Sequence, residues 1–295
     1  MADNAVTNVF GAQNLPDFPI TTEEYIRFRD FFYAKTGVQF SETKRYFVDK
    51  RVAERARAND CDTFRQYFMF VRSAGSAGEL QQLINLLTVN ETYFFRENYQ
   101  LESLVRFVLP EIAARKRPGD TIRIWSLPCS TGEEPYSIAI SVLDSWPQSD
   151  QFAIEILGSD VDTRVLADAK AGIYGERSLQ NVPPAARARY FTRRPENEYQ
   201  IISELRESID FFRLNISSKF EMSRHRNIDV VFCRNLLIYF DDVSRREAVE
   251  SIFESLVPGG FIFLGHSESM SRMSSLFSPR RLGDSTVYQR PLEVR

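Results

Sequence analysis

The sequence predicts an α/β fold with a mainly parallel sheet, preceded by a small all-helical domain and interrupted by a small antiparallel β insertion. Three observations carry this. No strand-like alternation of apolar and polar residues occurs before residue 90. Beyond residue 100, short apolar runs alternate with amphipathic helical stretches, the order of parallel strands joined by right-handed crossovers. Between the second helix and the third strand of that series lie more than 50 residues, far beyond an ordinary connection.

Composition sets the bounds. The 295 residues are 43% hydrophobic and 26% charged, which excludes disorder for most of the chain. A net charge of −3 does not suggest a nucleic-acid binder. Cys61, Cys129 and Cys233 are far apart and form no disulfide framework. With two histidines, a His-rich metal site is not expected, and no metal is assigned. No apolar run approaches the roughly 18–20 residues of a membrane span, and the N-terminus lacks signal-peptide features. A cytoplasmic protein is expected.

Residues 1–20 read as a mobile leader and residues 21–85 as the helical domain. Thr22 is the expected cap of a first helix that Gly37 ends. Further helices are expected over Thr43–Ala58, Thr63–Arg72 and from Glu79. Residues 86–295 form the α/β domain. A helix over Tyr99–Ala114 leads into strands Thr121–Ser126, Phe152–Gly158, Ile228–Cys233 and Phe261–Leu264. Helices Glu134–Leu143, Thr163–Ala171 and Asp242–Leu256 lie between them. Ser285–Arg290 is a closing antiparallel strand. The insertion covers about 172–214, with Tyr199–Leu205 and Ser208–Leu214 read as antiparallel strands.

The first strand–helix turn, Ser126 to Tyr136, carries the chemistry. Small residues at 129–132 let a ligand approach the backbone, but the GxGxxG and Walker spacings of phosphate sites are absent. Glu133 and Glu134 open the helix. They either complement its dipole or attract a cation or amine where a phosphate would be repelled. Asp160 ends the second strand, where α/β folds hold ribose hydroxyls, and Asp162 reads as the next helix cap. A nucleoside with an amine-bearing, phosphate-free tail fits both, and S-adenosylmethionine (SAM) is such a ligand. The stretch LVPGGFIFLG is similar to its counterpart in class I SAM-dependent methyltransferases.

Four ordered motifs then resemble the chemotaxis receptor methyltransferase family, CheR: Asn90–Arg96 (NETYFFR), Ser130–Ser137 (STGEEPYS), Phe232–Asn235 with Tyr239-Phe240, and Gly265–Glu268 (GHSE). The resemblance spans roughly residues 20–290. It implies a Rossmann-like class I methyltransferase with a helical N-terminal domain and an inserted β-subdomain. It also implies transfer of a methyl group from SAM to chemoreceptor glutamates, giving methyl esters and S-adenosylhomocysteine. It assigns cofactor contacts to Asn90, Thr92, Arg96, Glu134 (methionine amino end), Asp160 (ribose), Asn215 and Ile216 (adenine), Arg234 and Asn235. It places Arg96 and Tyr239 at the reacting centre. Leu127-Pro128-Cys129 stands where many relatives have small residues, which bears on pocket shape. Phe94, Phe95 and Cys233 read as core, and His266 as a structural hydrogen-bonding residue.

Residues 43–58 carry six Lys/Arg against two acids, with Lys44, Arg51 and Arg55 expected on one helical face. That face is either solvated or, as the resemblance suggests, docks the helical bundle of a receptor's cytoplasmic part. The insertion's turn, Arg193–Glu198, has no glycine, so recognition independent of a receptor's C-terminal pentapeptide is expected. The expected state is a monomer. Competing readings are a SAM-dependent methyltransferase with another acceptor and an idle SAM-sensing adaptor. The missing GxGxxG disfavours a nicotinamide dehydrogenase.

Overall fold

A computed structural model describes residues 18–73 and 75–292. The leader reading falls mostly outside them, but it must be shortened: Phe18 and Ile20 are buried. The chain divides into two compact units, residues 18–31 with 40–87, and residues 32–39 with 88–292. The divide gives the last turn of the first helix to the second unit.

The first unit holds the helices α1 (Thr22–Thr36, shared with the second unit), α2 (Arg45–Ala58), α3 (Phe64–Arg72) and α4 (Ala77–Leu87). The α1 cap is Thr21 rather than Thr22: its hydroxyl accepts the Glu24 N–H at 3.2 Å, and the Glu24 carboxylate accepts the Thr21 N–H at 2.9 Å, a reciprocal capping box. Thr63 caps α3 in the same manner with Gln66. The helix expected from Thr43 starts at Arg45, because Glu42–Lys44 form a 3-10 turn. Lys44 therefore does not share an α-helical face with Arg51 and Arg55.

Those two arginines are engaged inside their own unit. Arg51 donates to the Leu86 carbonyl at 3.0 Å and lies 3.8 Å from the Phe47 ring centroid. Arg55 Nε donates to buried Glu79 at 2.9 Å, and the Tyr67 hydroxyl donates to the same carboxylate at 2.7 Å. Burial alone would raise the Glu79 carboxyl, but hydrogen bonds from Arg55, Tyr67 and Asn59 outweigh it and hold the group below its ordinary range. Burial, with Glu79 alongside, pushes the Tyr67 hydroxyl far up.

The second unit opens with α5 (Asn98–Ser103), a π turn (Leu104–Val108) and α6 (Leu109–Ala113). The expected helix is thus continuous but widened ahead of Pro110, which has no N–H to give the ladder. Next come β1 (Thr121–Ser126), α7 (Glu133–Ser145), β2 (Ala153–Asp160), α8 (Thr163–Ala171), β3 (Ile173–Gly175), α9 (Pro184–Tyr190), β4 (Phe191–Arg193), β5 (Glu198–Ile201), α10 (Ser203–Glu207) and β6 (Ile209–Arg213). The chain then forms α11 (Lys219–Met222), β7 (Ile228–Cys233), α12 (Asp242–Ser255), β8 (Leu256–Leu264), β9 (Ser278–Leu282) and β10 (Ser285–Gln289). Asp241, one residue before α12, caps it through the Ser244 N–H at 2.8 Å.

The large sheet has the order β6-β2-β1-β7-β8-β10-β9. The first five strands are parallel, β10 pairs antiparallel with β8, and β9 pairs antiparallel with β10. Strand order reverses at β1, so a crevice opens at the carboxyl ends of β1 and β7, where such sheets bind ligands. The small sheet, β3-β5-β4, is antiparallel. It corrects the insertion reading: the small sheet occupies residues 173–201, whereas Ser208–Leu214 supplies β6, which joins the large sheet parallel to β2. Among the described residues, no helix is long and apolar enough to cross a membrane.

Glu79→Gln keeps the volume but removes the charge facing Arg55. The first unit is expected to lose about 2 kcal/mol of stability, because a buried charged hydrogen-bond partner disappears. Urea unfolding followed by circular dichroism measures this; an unchanged midpoint would refute the role of Glu79.

Candidate functional site

The crevice at the strand reversal holds a narrow cleft. The segment ahead of α5, the β1–α7 turn and the ends of β2 and β7 supply its walls. Of the residues singled out from sequence, Asn90, Thr92, Arg96, Glu134, Asp160, Arg234 and Asn235 all line it.

The β1–α7 turn is shaped by two left-handed residues, Ser130 at φ 47° and Gly132 at φ 94°. A Cβ on Gly132 would lie 2.9 Å from the Ala169 Cβ and 3.0 Å from the Tyr174 hydroxyl, so glycine is required by space as well as by conformation. Buried Asp160 accepts the Ser130 N–H through Oδ2 and the Asp162 N–H through Oδ1, both at 2.9 Å. Burial raises its pKa to about 6 despite those bonds. Asp162 does cap α8, accepting the Arg164 N–H at 2.8 Å. It also accepts the Asn90 amide and the Thr88 hydroxyl, each at 2.8 Å, which fixes the start of the cleft-lining segment.

A charged cluster forms the floor. The Arg234 side chain is 4% exposed and donates to Glu134 at 2.9 Å and to the Arg96 carbonyl at 2.8 Å, with Glu97 at 3.3 Å. Glu134 also accepts the Ser126 hydroxyl at 2.7 Å. Burial raises the Glu134 carboxyl, opposed by the charge of Arg234. Burial would raise Glu97 too, but Arg234 and the His266 ring, 2.9 Å away, hold it below its ordinary range. The Nε of Arg234 is buried with no hydrogen-bond partner.

Three sequence-selected residues lie apart from the cleft lining. The Asn215 amide donates to the Lys35 carbonyl at 2.7 Å and its Oδ1 accepts the Ser217 N–H. Ile216 is packed in the core around Trp125 and Val231. Tyr239 is 37% exposed; burial raises its hydroxyl, while the nearby charge of Arg96 lowers it. The Arg96 guanidinium donates to the Glu91 carbonyl at 2.8 Å.

Two structural carboxylates escaped sequence reading. Glu97 was passed over next to Arg96. Glu268 is buried and accepts the N–H groups of Asn235, Gly265 and Leu237 at 2.9, 2.9 and 2.8 Å. It thereby holds Asn235 at φ 58° and anchors the loop leading to Tyr239. Its place in the GHSE motif was the available signal.

The donor set suits one class of ligand. Asp160 keeps acceptor capacity for a pair of hydroxyls. Glu134 and Glu97 face the single cation Arg234, which leaves excess negative charge for an amine or sulfonium. SAM carries all of these groups.

The comparisons with known proteins agree with that chemistry. Residues 90–283 match the family described as "CheR methyltransferase, SAM binding domain", and residues 23–88 match "CheR methyltransferase, all-alpha domain". Chemotaxis protein methyltransferase 2 of Vibrio cholerae is 53% identical over 92% of this chain and 94% of its own length. Chemotaxis protein methyltransferase 2 of Pseudomonas aeruginosa is 34% identical over 98% and 99%, and the chemotaxis protein methyltransferase of Escherichia coli 35% over 91% of each.

Glu268→Gln replaces one acceptor oxygen with an amide donor facing backbone N–H groups. It is expected to cost about 1–3 kcal/mol, read as a lower denaturation midpoint. Full stability in this variant would show that the three bonds do not hold the loop.

Proposed function

From the chain's membership of the CheR methyltransferase family, which binds SAM, we propose that it methylates glutamate side chains on the cytoplasmic helical bundle of chemoreceptors, as a protein-glutamate O-methyltransferase. The cleft's paired acids around Arg234, set at the strand reversal, are the observation that carries this reading. The products are glutamate methyl esters and S-adenosylhomocysteine.

SAM, when bound, supplies a methyl group on a positively charged sulfonium. Asp160 holds the ribose hydroxyls, and Glu134 with Arg234 holds the amino-acid end. Asn90, Thr92 and Asn235 complete the cleft wall. An acceptor glutamate, with a pKa near 4.3, is ionised at neutral pH. It needs no general base, only orientation and partial loss of water. Arg96 pairs with that carboxylate, and Tyr239 donates to its second oxygen. The enzyme acts as a cytoplasmic monomer. Its three-residue edge strand β4 and the glycine-free turn after it favour recognition that does not use a receptor's C-terminal pentapeptide.

Tritiated SAM incubated with receptor-containing membranes is expected to give base-labile, volatile methanol. Tyr239→Phe is expected to lower that rate by about tenfold to a hundredfold, as loss of orientation does, at unchanged S-adenosylhomocysteine affinity. Base-stable label would indicate a different acceptor, and a full rate in the variant would remove Tyr239 from the reacting centre.

The pKa of Asp160 adds a pH signature. Hydroxyl donors favour its ionised form, so binding requires loss of the proton that Asp160 holds below about pH 6. S-adenosylhomocysteine affinity should therefore be level above pH 6 and fall by up to about tenfold per pH unit below it. Calorimetry across this range tests the assignment: Asp160→Asn should bind weakly without that slope, and wild-type affinity that stays flat would refute it.

A further inference from the structure

In the reading above Tyr239 stands at the reacting centre, and its aim has to come from its backbone. Tyr239 and Ile238 are exposed, and among the described residues the Tyr239 hydroxyl has no hydrogen-bond partner. The segment that carries them is a single 3-10 turn, Leu237–Tyr239, a form that is weak by itself.

The end of α1 supplies a hold. Residues 32–39 belong to the second unit and meet the Tyr239 segment at three successive residues. The Gln39 N–H donates to the Tyr239 carbonyl at 3.1 Å, and Val38 pairs with Phe240 in an antiparallel bridge. The Tyr33 hydroxyl donates to the two Asp241 oxygens at 2.9 and 3.0 Å and accepts the Ser244 hydroxyl at 3.0 Å. Gly37, left-handed at φ 72°, permits this approach. A Cβ there would collide with the Ser217 hydroxyl and lie 3.5 Å from the Phe240 ring. Elsewhere, Glu268 accepts the Leu237 N–H, and Arg245 donates to the Leu237 and Phe240 carbonyls at 3.0 and 2.7 Å. Those two grip the flanks of the turn, whereas the α1 end grips Tyr239 itself.

We propose that the end of α1 is a strap that aims Tyr239 at the acceptor carboxylate, with Tyr33 as its positioning residue. Tyr33 does not line the cleft. It acts by pinning Asp241, two residues beyond Tyr239, so that the chain bearing the Tyr239 hydroxyl cannot swing away. The aim rests on the reading of Tyr239 above; the hold on the segment stands by itself. A misplacement of about 1 Å can cost about a hundredfold in rate, so a hydroxyl that never touches substrate can still govern kcat.

The test uses the full chain, with tritiated SAM and receptor-containing membranes for rates, and hydrogen exchange of the free protein for the segment. Tyr33→Phe keeps the ring and removes the hydroxyl. It is expected to lower kcat about threefold to tenfold, with the affinity for S-adenosylhomocysteine unchanged. Amide exchange across residues 236–241 should speed up, while the β1–α7 turn exchanges as in the wild type. In a Tyr239→Phe background the same change should cost nothing more, because its effect passes through Tyr239. Asp241→Asn, which keeps one oxygen for the Ser244 N–H, should repeat the pattern and decides the matter if Tyr33→Phe folds poorly. A wild-type kcat in both variants would overturn the proposal. So would an equal loss in the Tyr239→Phe background, which marks a general defect. Unchanged exchange across 236–241 in both variants overturns the strap whatever the rates. Faster exchange in Tyr33→Phe together with a full rate in Tyr239→Phe overturns the reading of Tyr239 and the aim, while the hold on the segment stands.

Discussion

The site depends on a buried guanidinium. Arg234, at the end of β7, is nearly removed from water and touches the start of α7 through Glu134 and the segment ahead of α5 through the Arg96 carbonyl and Glu97. Each element is otherwise held by its own packing. Burying a charge is unfavourable unless it is paired and hydrogen-bonded, so these partners are constrained to converge on one point. The point lies where strand order reverses, and the cleft inherits its position from that convergence. Excess carboxylate around a single cation also gives the cleft its sign.

A second set of contacts ties the inserted small sheet to the same turn. The Tyr174 hydroxyl, from β3, donates to the Thr131 carbonyl at 2.7 Å, and Ser178 donates to buried Glu133 at 2.7 Å. Phe94 donates its N–H to the Ser178 carbonyl at 3.0 Å, and its ring meets Tyr174 and Phe191 edge-on. Burial raises the Glu133 carboxyl, countered by hydrogen bonds from Thr131 and Ser178. Glu133 therefore braces the turn from outside the cleft while its neighbour Glu134 faces into it. Two adjacent glutamates, alike in sequence, divide into support and site because successive helical positions face about 100° apart.

Much of this was legible in the sequence because it is local. The bounds of β1, β7 and α8 follow from apolar runs and caps that need no partner to be read. The β1–α7 turn, Asp160 and Arg234 stood out because small residues and charges interrupt apolar strands. What was missed depends on distant pairing. Ser208–Leu214 has an alternation that suits either sheet, and only the crossover through α10 makes β6 parallel to β2. Arg51 and Arg55 look like a solvated face until α4 brings the Leu86 carbonyl and Glu79 beneath them. Glu97 and Glu268 look like surface acids because sequence does not reveal which charged groups a fold will bury.

The distribution of charge matches the chemistry required at each place. A carboxylate acceptor approaching the cleft meets a floor that is itself acidic, so attraction to that floor cannot hold it. Arg96 resolves the conflict: it lines the cleft yet remains partly exposed, with its guanidinium on the Glu91 carbonyl rather than on a carboxylate. Among the described residues Arg96 has no carboxylate partner, while Glu134 and Glu97 face Arg234. The reaction joins an anionic oxygen to a cationic methyl donor and removes both charges. A floor closed to water then favours the neutral products, and a wetter rim lets the charged acceptor arrive at little desolvation cost. Buried Arg234 and Asp160 and the partly exposed Arg96 bring those two opposed needs into one cleft.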